Sequence, residues 1–285
     1  MSHLDHIIIL IPYAHLIDLP GWLTENFTIT PGAPRRQQNR KQAHLLQRWL
    51  LISFINDDPA LREGHWWGKK AFGIIDFAFT SKEGGGGGGG GSAEENYEAV
   101  SKRLGEVRWE DGETEVRYQK PVKGGRKRDD GVDVKWQVTF PVVSDGYQRG
   151  ELPFFCHDIT DREVRVPFSK ECVTHPSGAY GVQRLVIFVP GERAKTLEKA
   201  YAAILGVESE ERGVFETEPL KGEGSKVGVV VKDPEKEWQK EEMKRRGGLL
   251  LGDLSFLKDR EDEGKLPLTR IDADGSEVAM GGWFL

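Results

Sequence analysis

The chain has 285 residues and carries 40 basic against 46 acidic side chains, which gives a formal net charge of -6. This balance excludes a polycationic protein whose contacts are dominated by nucleic acid. Hydrophobic residues make up 38% and charged residues 30% of the chain, which is enough apolar material for a folded core. At about 100–200 residues per domain, the length predicts two domains or one domain of two halves.

The two cysteines, Cys156 and Cys172, fit neither a redox pair nor a disulfide framework, so we expect a reducing compartment and a cytoplasmic protein. The apolar run Ile7 to Ile11 is far shorter than the ~20 residues of a membrane-spanning helix. Asp5 and His6 precede this run, where a signal peptide would carry basic residues. We therefore expect neither a targeting segment nor a membrane helix.

The first part of the chain is predicted to form a strand, a helix and further strands. Leu4 to Pro12 is a β-branched run closed by proline, which is typical of a buried strand. Leu16 to Phe27 has apolar residues at helical spacing, and Leu45 to Ile55 and Gly73 to Thr80 are strand candidates. This order predicts at least a βαββ unit.

A glycine-rich segment follows. Residues 81–92 include the uninterrupted glycine run Gly84 to Gly91, which brings no side chains to a core and loses much backbone entropy on ordering. We interpret 81–92 as a flexible linker, followed by a helix over Ala93 to Leu104. The basic stretch Lys120 to Arg128 is interpreted as the solvated tip of a β-hairpin rather than as a phosphate site.

The second part of the chain repeats the opening pattern. Gly181 to Pro190 matches His3 to Pro12 apolar to apolar, and both segments end in proline. A helix is predicted over Glu192 to Leu205, with Gly206 as its C-cap. Further strands are predicted over Val214–Glu218, Val227–Lys232, Leu249–Leu251 and Leu266–Ile271, and a charged helix with Pro234 at its first position over Glu235–Arg246. Internal repetition of this kind predicts a duplicated fold.

Four segments resemble the glyoxalase-like domain proteins of fungi and bacteria, here of the fungal type, within the vicinal oxygen chelate superfamily. They are LDHIIILIP from Leu4, EGHWWGKKAFGIIDFAFT from Glu63, LPFFCHDITDREVRVP from Leu152 and THPSGAYGV from Thr174. The resemblance implies an α+β fold in which two βαβββ modules form a curved mixed sheet with a central cleft. On this basis the first module is residues 1–80, an inserted helix and strands occupy 93–173, and the second module is 174–285.

The resemblance also implies a metal site. In the superfamily, a divalent metal is held in the cleft by one residue from the first strand and one from the last strand of each module. His6 matches the first of these positions, and imidazole and oxygen ligands suit Zn²⁺, Fe²⁺, Mn²⁺ or Ni²⁺. The alternative is a histidine satisfied inside a packed strand. The second-module position is Arg184, which stays protonated and cannot ligate a metal, but its guanidinium suits a substrate carboxylate or enolate.

Other candidate site residues lie in the segments that carry the resemblance. His157 and His175 are candidate acid/base groups on the walls of the cleft, because imidazole titrates near neutral pH. The alternative is that both rings hydrogen-bond backbone carbonyls. Trp66 and Trp67 are candidates for an aromatic wall that contacts an apolar part of a substrate, and the alternative is that they pack in the core. Cys156 is not favoured as a nucleophile.

Residues 33–50 depart from the family's first-module pattern, GGxH…TxNKLI…DGxYLELIxF, in which the glutamate of YLEL is a metal ligand. Leu50 stands at that acidic position. Permissible codons for Ala33 to Leu50, read one base later, spell PHADSKTENKLICFKDGS, which restores the H, TxN, KLI and DG in order. We therefore hypothesise that this segment is translated out of frame, and we expect 33–48 to be an irregular loop before a strand resumes near Leu50 to Ile55.

Together these features predict a protein that binds a small oxygen-rich molecule in the cleft between the modules. Two alternatives are open for its activity: metal-assisted lyase, isomerase or oxygenase chemistry, or metal-free sequestration of the bleomycin-resistance type. We expect a small-molecule ligand, no nucleic acid and no membrane as partners. A divalent metal is an open cofactor, and the oligomeric state is open, with a dimer as one option.

Overall fold

The structure is a computed structural model. It describes residues 2–31, 40–45, 49–54, 62–63, 65–81, 92–128, 130–143, 146–166, 169–209, 211–218, 226–258, 269–271, 277–279 and 282–284. The chain forms two compact units, each built from three segments. Unit 1 comprises Met1–Asp5, Phe77–Val166 and Val186–Leu250, and unit 2 comprises His6–Asp76, Pro167–Leu185 and Leu251–Leu285.

The larger sheet has eight strands. They are β1 (Ser2–Leu10), β2 (Ile29–Pro31), β3 (Arg40–Leu45), β4 (Trp49–Phe54), β5 (Gly73–Ser81), β6 (Val122–Lys127), β7 (Asp133–Thr139) and β8 (Phe154–Asp158). Their order in the sheet is β2-β3-β4-β1-β5-β8-β7-β6. The two central strands, β1 and β5, are buried along nearly their whole length, including the acidic side chains of Asp5 and Asp76.

This sheet contains the βαβββ order twice. In the first run, β1 is followed by the helices α1 (Tyr13–Ile17) and α2 (Gly21–Thr24) and then by β2, β3 and β4. In the second run, β5 is followed by the helix α3 (Ala93–Glu106) and then by β6, β7 and β8. In each run the first strand pairs in parallel with the last, β1 with β4 and β5 with β8. The predicted α+β fold with two βαβββ modules is confirmed.

The positions of the two runs differ from the module boundaries inferred from the sequence. The runs occupy residues 2–54 and 73–158. The segment 73–80, expected to close the first module, is the opening strand of the second run. The segment 93–158, expected as part of an insertion, supplies the helix and the three other strands of that run. An apolar pattern reports that a strand is buried, but it does not report which strand lies beside it.

The remaining strands follow β8 in the chain. They are β9 (Ala179–Phe188), β10 (Val214–Thr217), β11 (Val227–Lys232), β12 (Leu250–Lys258), β13 (Thr269–Ile271), β14 (Glu277–Ala279) and β15 (Gly282–Phe284). The second sheet has the order β10-β11-β9-β12-β15, and β13 pairs with β14. Four more helices are α4 (Arg162–Arg165), α5 (Lys170–Val173), α6 (Gly191–Leu205) and α7 (Glu237–Arg245). Along the described residues, no helix is both long and apolar enough to cross a membrane.

Local sequence signals set the ends of the longer helices in unit 1. Ser92 and Glu95 form a capping box at the start of α3, in which each side chain accepts from the other residue's backbone N–H. As predicted, α6 ends at Gly206, which adopts the left-handed conformation with φ 69°. The guanidinium of Arg103 on α3 donates to two carbonyls in the last turn of α6, so these otherwise unpaired acceptors are satisfied.

The strand β9 supplies much of the apolar packing in unit 1. A cluster of buried side chains joins β9 to β11 and the start of β12, with partly buried side chains of α7 packed against it. Its buried members are Val186, Phe188, Val230 and Leu250, and Trp238 and Met243 pack on them. Burial of this apolar surface is the main force that holds β9, β11 and α7 together.

Besides the single helix predicted over Leu16 to Phe27, which is instead the two short helices α1 and α2, two local predictions are wrong. The basic stretch expected as a hairpin tip contains β6, which pairs with β7 from Val122↔Val138 to Lys127↔Asp133, so most of this stretch is a paired strand. The helix α7 begins at Glu237, with Lys236 at its N-cap, instead of at Pro234. The first difference arises because main-chain pairing does not require an apolar sequence on an edge strand.

The segment expected to be out of frame is described in part. The prediction of an irregular loop is wrong for Arg40–Leu45, because these residues form β3 and pair with β4 from Arg40↔Phe54 to Leu45↔Trp49. Main-chain N–H and C=O groups make this ladder, so a polar sequence can form a strand there. The strand expected near 50–55 is confirmed by β4. Residues 32–39 and 46–48 lie outside the described part of the chain, and the frame hypothesis itself stays a prediction.

Candidate functional site

Unit 1 contains a buried network of two carboxylates and two guanidinium groups. Asp5 lies on β1 with none of its side chain exposed, Asp158 ends β8, and Arg162 and Arg165 lie on α4. The Nη2 group of Arg165 donates to Asp5 Oδ1 and to Asp158 Oδ2, both at 3.0 Å. Arg162 Nη1 contacts both acids as well. The formal charges of the four side chains sum to zero.

This charge balance determines what the network can do. Burial by itself would lower the pKa of Arg165, but Asp5, Cys156 and Asp158 hold it well above its ordinary value. The guanidinium therefore stays charged, and the carboxylate oxygens are used by the two arginines. Burial also raises the pKa of the Cys156 thiol to about 12, so this cysteine is protonated at neutral pH and is a poor nucleophile.

His157 lies on β8 in unit 1 and is 2% exposed. Its Nε2 is 2.8 Å from Ser81 Oγ at the end of β5, so its partner is a hydroxyl and not a backbone carbonyl. Within the part of the chain that the structure describes, its Nδ1 has no hydrogen-bond partner. Burial lowers the pKa of His157 despite the opposing charges of Asp5, Asp158 and Glu94. The ring is therefore neutral at neutral pH, which is a protonation state able to accept a proton.

His175 lies in unit 2, in the turn before β9, and it is also buried. Its Nδ1 accepts from the backbone N–H of Thr28 at 3.1 Å, and its ring meets Phe27 edge-on. The hydroxyl of Thr28 donates to the carbonyl of Thr174 at 2.6 Å. Burial lowers the pKa of His175, and an accepting Nδ1 places the proton of the neutral ring on Nε2. These contacts make His175 a structural link between two segments of unit 2.

The two adjacent tryptophans of unit 2 have different environments. Trp67 is 4% exposed, and its Nε1–H donates to Asp76 Oδ2 at 2.7 Å. Trp66 is 50% exposed, and its ring packs edge-on against His65 and Trp67. Trp67 therefore belongs to the core, as the alternative interpretation held, whereas Trp66 presents an aromatic surface to solvent.

Asp76 is a candidate site residue that sequence reasoning missed. It lies on β5 with no exposed surface, among the buried apolar residues of this central strand. The available signal was a single acidic residue in the run GIIDFAFTS. That signal gains meaning only once β5 is recognised as the first strand of a βαβββ run, because β5 then corresponds to β1, where His6 is the candidate ligand.

His6 and Arg184 are the candidate binding residues in the long strands β1 and β9. Every residue of β1 is buried except His6, which is partly exposed. Arg184 is likewise partly exposed on β9, whose next four residues are buried. Both side chains belong to unit 2. A polar residue that reaches solvent from a buried strand is suited to contact a small molecule.

The described His, Cys, Asp and Glu side chains do not form a metal site. Among the described residues, no group of three or more His, Cys, Asp and Glu side chains is arranged to hold a metal ion. Asp76 already accepts from Trp67, and Asp158 is held by Arg165. A divalent metal in a protein site usually takes three or four protein ligands. The described donor set does not fit a metal centre, and we assign no step to a metal.

Comparison with known proteins places the chain in a family. The model of the family described as "Glyoxalase-like domain" matches residues 4–205, which is more than half of the chain. The chain belongs to this family. A search of curated proteins gave no match for this glyoxalase-like domain protein.

Solved structures share its fold at low sequence identity. A hypothetical protein from Staphylococcus aureus has a TM-score of 0.59 and 12% identity, with 100% of this chain and 99% of that chain covered. A fusion of a xylose isomerase-like TIM barrel with 4-hydroxyphenylpyruvate dioxygenase has a TM-score of 0.46 and 10% identity, covering 91% and 37% of the two chains. A mutant of 4-hydroxymandelate synthase from Streptomyces coelicolor has a TM-score of 0.45 and 11% identity, covering 90% and 72%.

Proposed function

We propose that this glyoxalase-like domain protein binds a small, anionic, oxygen-rich molecule in unit 2, with Arg184 and His6 as the binding groups. The observation that carries this proposal is the partial exposure of both side chains on strands that are otherwise largely buried. Membership of the family over residues 4–205 supports a small-molecule role for this chain.

The chemistry of these groups defines the ligand class. A guanidinium matches a carboxylate or an enolate by two parallel N–H···O bonds and keeps its charge at any physiological pH. The imidazole of His6 adds ring nitrogens that can hydrogen-bond a neighbouring hydroxyl or carbonyl. Trp66 supplies exposed aromatic surface in the same unit for an apolar substituent. Small 2-hydroxy and 2-oxo carboxylates carry all the oxygen groups that this set would recognise.

A metal-assisted lyase, isomerase or oxygenase is a second candidate. It is favoured by one observation: an imidazole, His6, and a carboxylate, Asp76, stand near the middle of the first strands of the two βαβββ runs. These two residues alone do not complete a metal site. A restored glutamate at Leu50, as the frame hypothesis requires, would add a third donor on β4.

Binding is tested by calorimetry with a panel of small 2-hydroxy and 2-oxo carboxylates. We expect Arg184→Ala to weaken binding at least tenfold, and Arg184→Lys to recover only part of that loss because a lysine cannot bind a carboxylate bidentately. His6→Ala should weaken binding as well. His15→Ala on α1, in the same unit, is the matched control and should bind as the parent does. Equal affinity of the parent and Arg184→Ala, or no binding by the parent, would overturn the proposal.

Metal content separates the two candidates. The purified protein is measured for bound metal before and after incubation with Zn²⁺, Mn²⁺, Ni²⁺ or Fe²⁺ and removal of the excess. One tightly held equivalent that His6→Ala loses favours the metal-assisted candidate. A trace amount in both proteins favours metal-free binding.

The frame hypothesis is tested on the gene and its transcript. If the DNA over Ala33 to Leu50 reads H…TxNKLI…DG one base later, the natural chain carries the family's glutamate. If it does not, Leu50 is a genuine loss of that ligand, and metal-free binding is the better conclusion.

A further inference from the structure

Two buried side-chain atoms on neighbouring strands of unit 1 have no hydrogen-bond partner among the described residues. Thr139 ends β7 and is 1% exposed, and His157 on β8 is 2% exposed. Among the described residues, neither Thr139 Oγ1 nor His157 Nδ1 has a hydrogen-bond partner. Folded proteins leave few buried polar atoms unpaired, and each exception calls for a partner such as water or a ligand.

The strand register places these two residues on one face of the sheet. β7 and β8 are antiparallel, with Gln137 opposite His157 and Thr139 opposite Phe155. Residues directly opposite each other share a face, and so do residues two apart on one strand. Thr139 and His157 are therefore diagonal neighbours, whose backbones lie about 7–8 Å apart. A single oxygen atom between the two side chains is well placed to bond to both.

The helix α3 packs over this part of the sheet. It contacts both β7 and β8, and Glu94 in its first turn accepts a hydrogen bond from Gln137 at 2.6 Å. Asn96 is partly buried and stands at helical spacing from the buried residues Ala93 and Val100 of α3, on the same face of the helix. Its Nδ2 is a third buried atom without a partner in the described chain. The three atoms thus lie on three elements, α3, β7 and β8, and α3 packs on both strands.

From this placement we propose that unit 1 binds one small, neutral, hydroxyl-bearing molecule between α3 and the β7–β8 pair. Its oxygen accepts from Asn96 Nδ2 and from the hydroxyl of Thr139, and its O–H donates to His157 Nδ1. This site is separate from the residues of unit 2 to which we assign ligand binding.

The three protein groups explain why the ligand is neutral. An amide, a hydroxyl and an uncharged imidazole offer hydrogen bonds but no opposite charge, and a buried ion without a counter-charge is strongly disfavoured. With Nδ1 accepting, the ring proton is on Nε2, which then donates to Ser81 Oγ at the observed 2.8 Å. Every polar atom of the imidazole is satisfied in this arrangement. Water and the hydroxyl of a small alcohol share this chemistry.

The proposal is tested by whether Thr139→Val lowers the stability of the protein or leaves it unchanged. Valine has nearly the same shape as threonine, so loss of an unpaired hydroxyl should leave the protein equally or more stable. If the hydroxyl bonds to the proposed ligand, the folding equilibrium constant should instead fall by roughly five- to tenfold. Thr217→Val is the matched control, because the buried Thr217 hydroxyl donates to the Val227 carbonyl at 2.8 Å and its loss must destabilise. An unchanged or raised stability of Thr139→Val overturns the proposal.

A double variant tests whether the ligand is shared. Asn96→Leu and Thr139→Val should be non-additive in denaturant unfolding, because the first change already weakens the site that the second removes. Asn96→Leu combined with Thr217→Val should be additive. Additivity in both pairs would mean that Asn96 and Thr139 have no common partner, and the proposal would fail.

Nitrogen NMR of the unsubstituted protein gives a test that needs no folded variant. The proposal requires His157 Nδ1 to be the unprotonated, accepting nitrogen, and a protonated Nδ1 overturns it. Magnetisation transfer from water to nearby amide protons, and native mass spectrometry, then distinguish a bound water from an organic alcohol. Absence of both a long-lived water and a bound molecule also overturns it. None of these readouts depends on carboxylate binding in unit 2, so the two proposals can fail independently.

Discussion

The two βαβββ runs of the larger sheet have the same strand order but use their polar residues differently. In both, the first strand pairs in parallel with the last. Asp76 on the second run accepts from Trp67, and Arg165 holds one acid of each run, Asp5 on β1 and Asp158 on β8. On the first run, His6 reaches solvent from an otherwise buried strand. The first strands of the two runs thus present different polar residues near their middle, a partly exposed imidazole on β1 and a fully buried carboxylate on β5.

The largest loss of unfolding free energy is expected when the buried charge network around Asp158 is broken. Arg165→Met removes the guanidinium that bonds to Asp5 and Asp158, which leaves buried carboxylates with too little counter-charge. Removing one partner of a buried pair typically costs about 3–5 kcal/mol, and we expect a loss in this range in the free energy of unfolding. Denaturant unfolding at neutral pH measures it. Arg117→Met, which removes an exposed partner of Glu115, is the control and should change little.

A loss for Arg165→Met no larger than that of the control would show that the network is not stabilising. Neither Asp5 on the first run nor Asp158 on the second would then depend on Arg165 for its stability in the buried state.

A smaller effect is expected from the Trp67–Asp76 pair. Trp67→Phe keeps an aromatic ring but removes the N–H that bonds to a fully buried carboxylate. Hydrogen bonds to charged groups contribute about 1.5–3 kcal/mol, so unfolding should be easier by about this amount. Trp66→Phe changes the same residue type one position away, where the ring is half exposed and the core is not altered. Equal stability of the two variants would contradict the assignment of Trp67 to the core.

The smallest expected change in unfolding free energy is the one that His175 causes as the pH falls. Burial lowers the pKa of His175, so below the ordinary histidine value of about 6.5 the unfolded chain binds a proton that the folded chain does not. The stabilising contribution is therefore complete above that pH and is lost as the pH falls toward the lower folded pKa. His157, whose pKa burial also lowers, acts in the same direction.

His175→Asn isolates the part due to His175. Asparagine offers the Thr28 N–H an acceptor oxygen but does not titrate, so the fall in unfolding free energy from pH 7.5 to pH 5.5 should be shallower than in the parent. His15→Asn on α1 is the control. A steeper fall in His175→Asn than in the parent would contradict a lowered pKa of His175 in the folded protein.

Sequence patterns predicted much of the local structure correctly, for physical reasons that can be named. The strands β1, β5, β9 and β11 are short apolar runs bounded by turn residues, and the C-cap at Gly206 follows from the left-handed backbone that glycine adopts easily. These signals are local, so no knowledge of the rest of the fold is needed to use them.

Local sequence patterns did not predict which strands pair or which side chains contact each other. The sequence does not show that β5 pairs with β8, so β5 was not recognised as the first strand of a βαβββ run, nor Asp76 as the counterpart of His6. Trp66 and Trp67 have the same local chemistry, and only the folded structure shows that Trp67 is buried and bonded to Asp76 whereas Trp66 is half exposed. The roles of such residues depend on contacts between segments far apart in sequence.

The borders between the two units have a practical consequence for protein engineering. Four of them fall inside strands, after Asp5 in β1, after Asp76 in β5, after Leu185 in β9 and after Leu250 in β12. A truncation at any of these points cuts a strand and exposes unpaired main-chain groups at its end. Neither unit is a continuous stretch of chain, so limited proteolysis or gene truncation should yield unfolded fragments instead of an isolated unit. Expression of one unit by itself requires its segments to be rejoined by new loops.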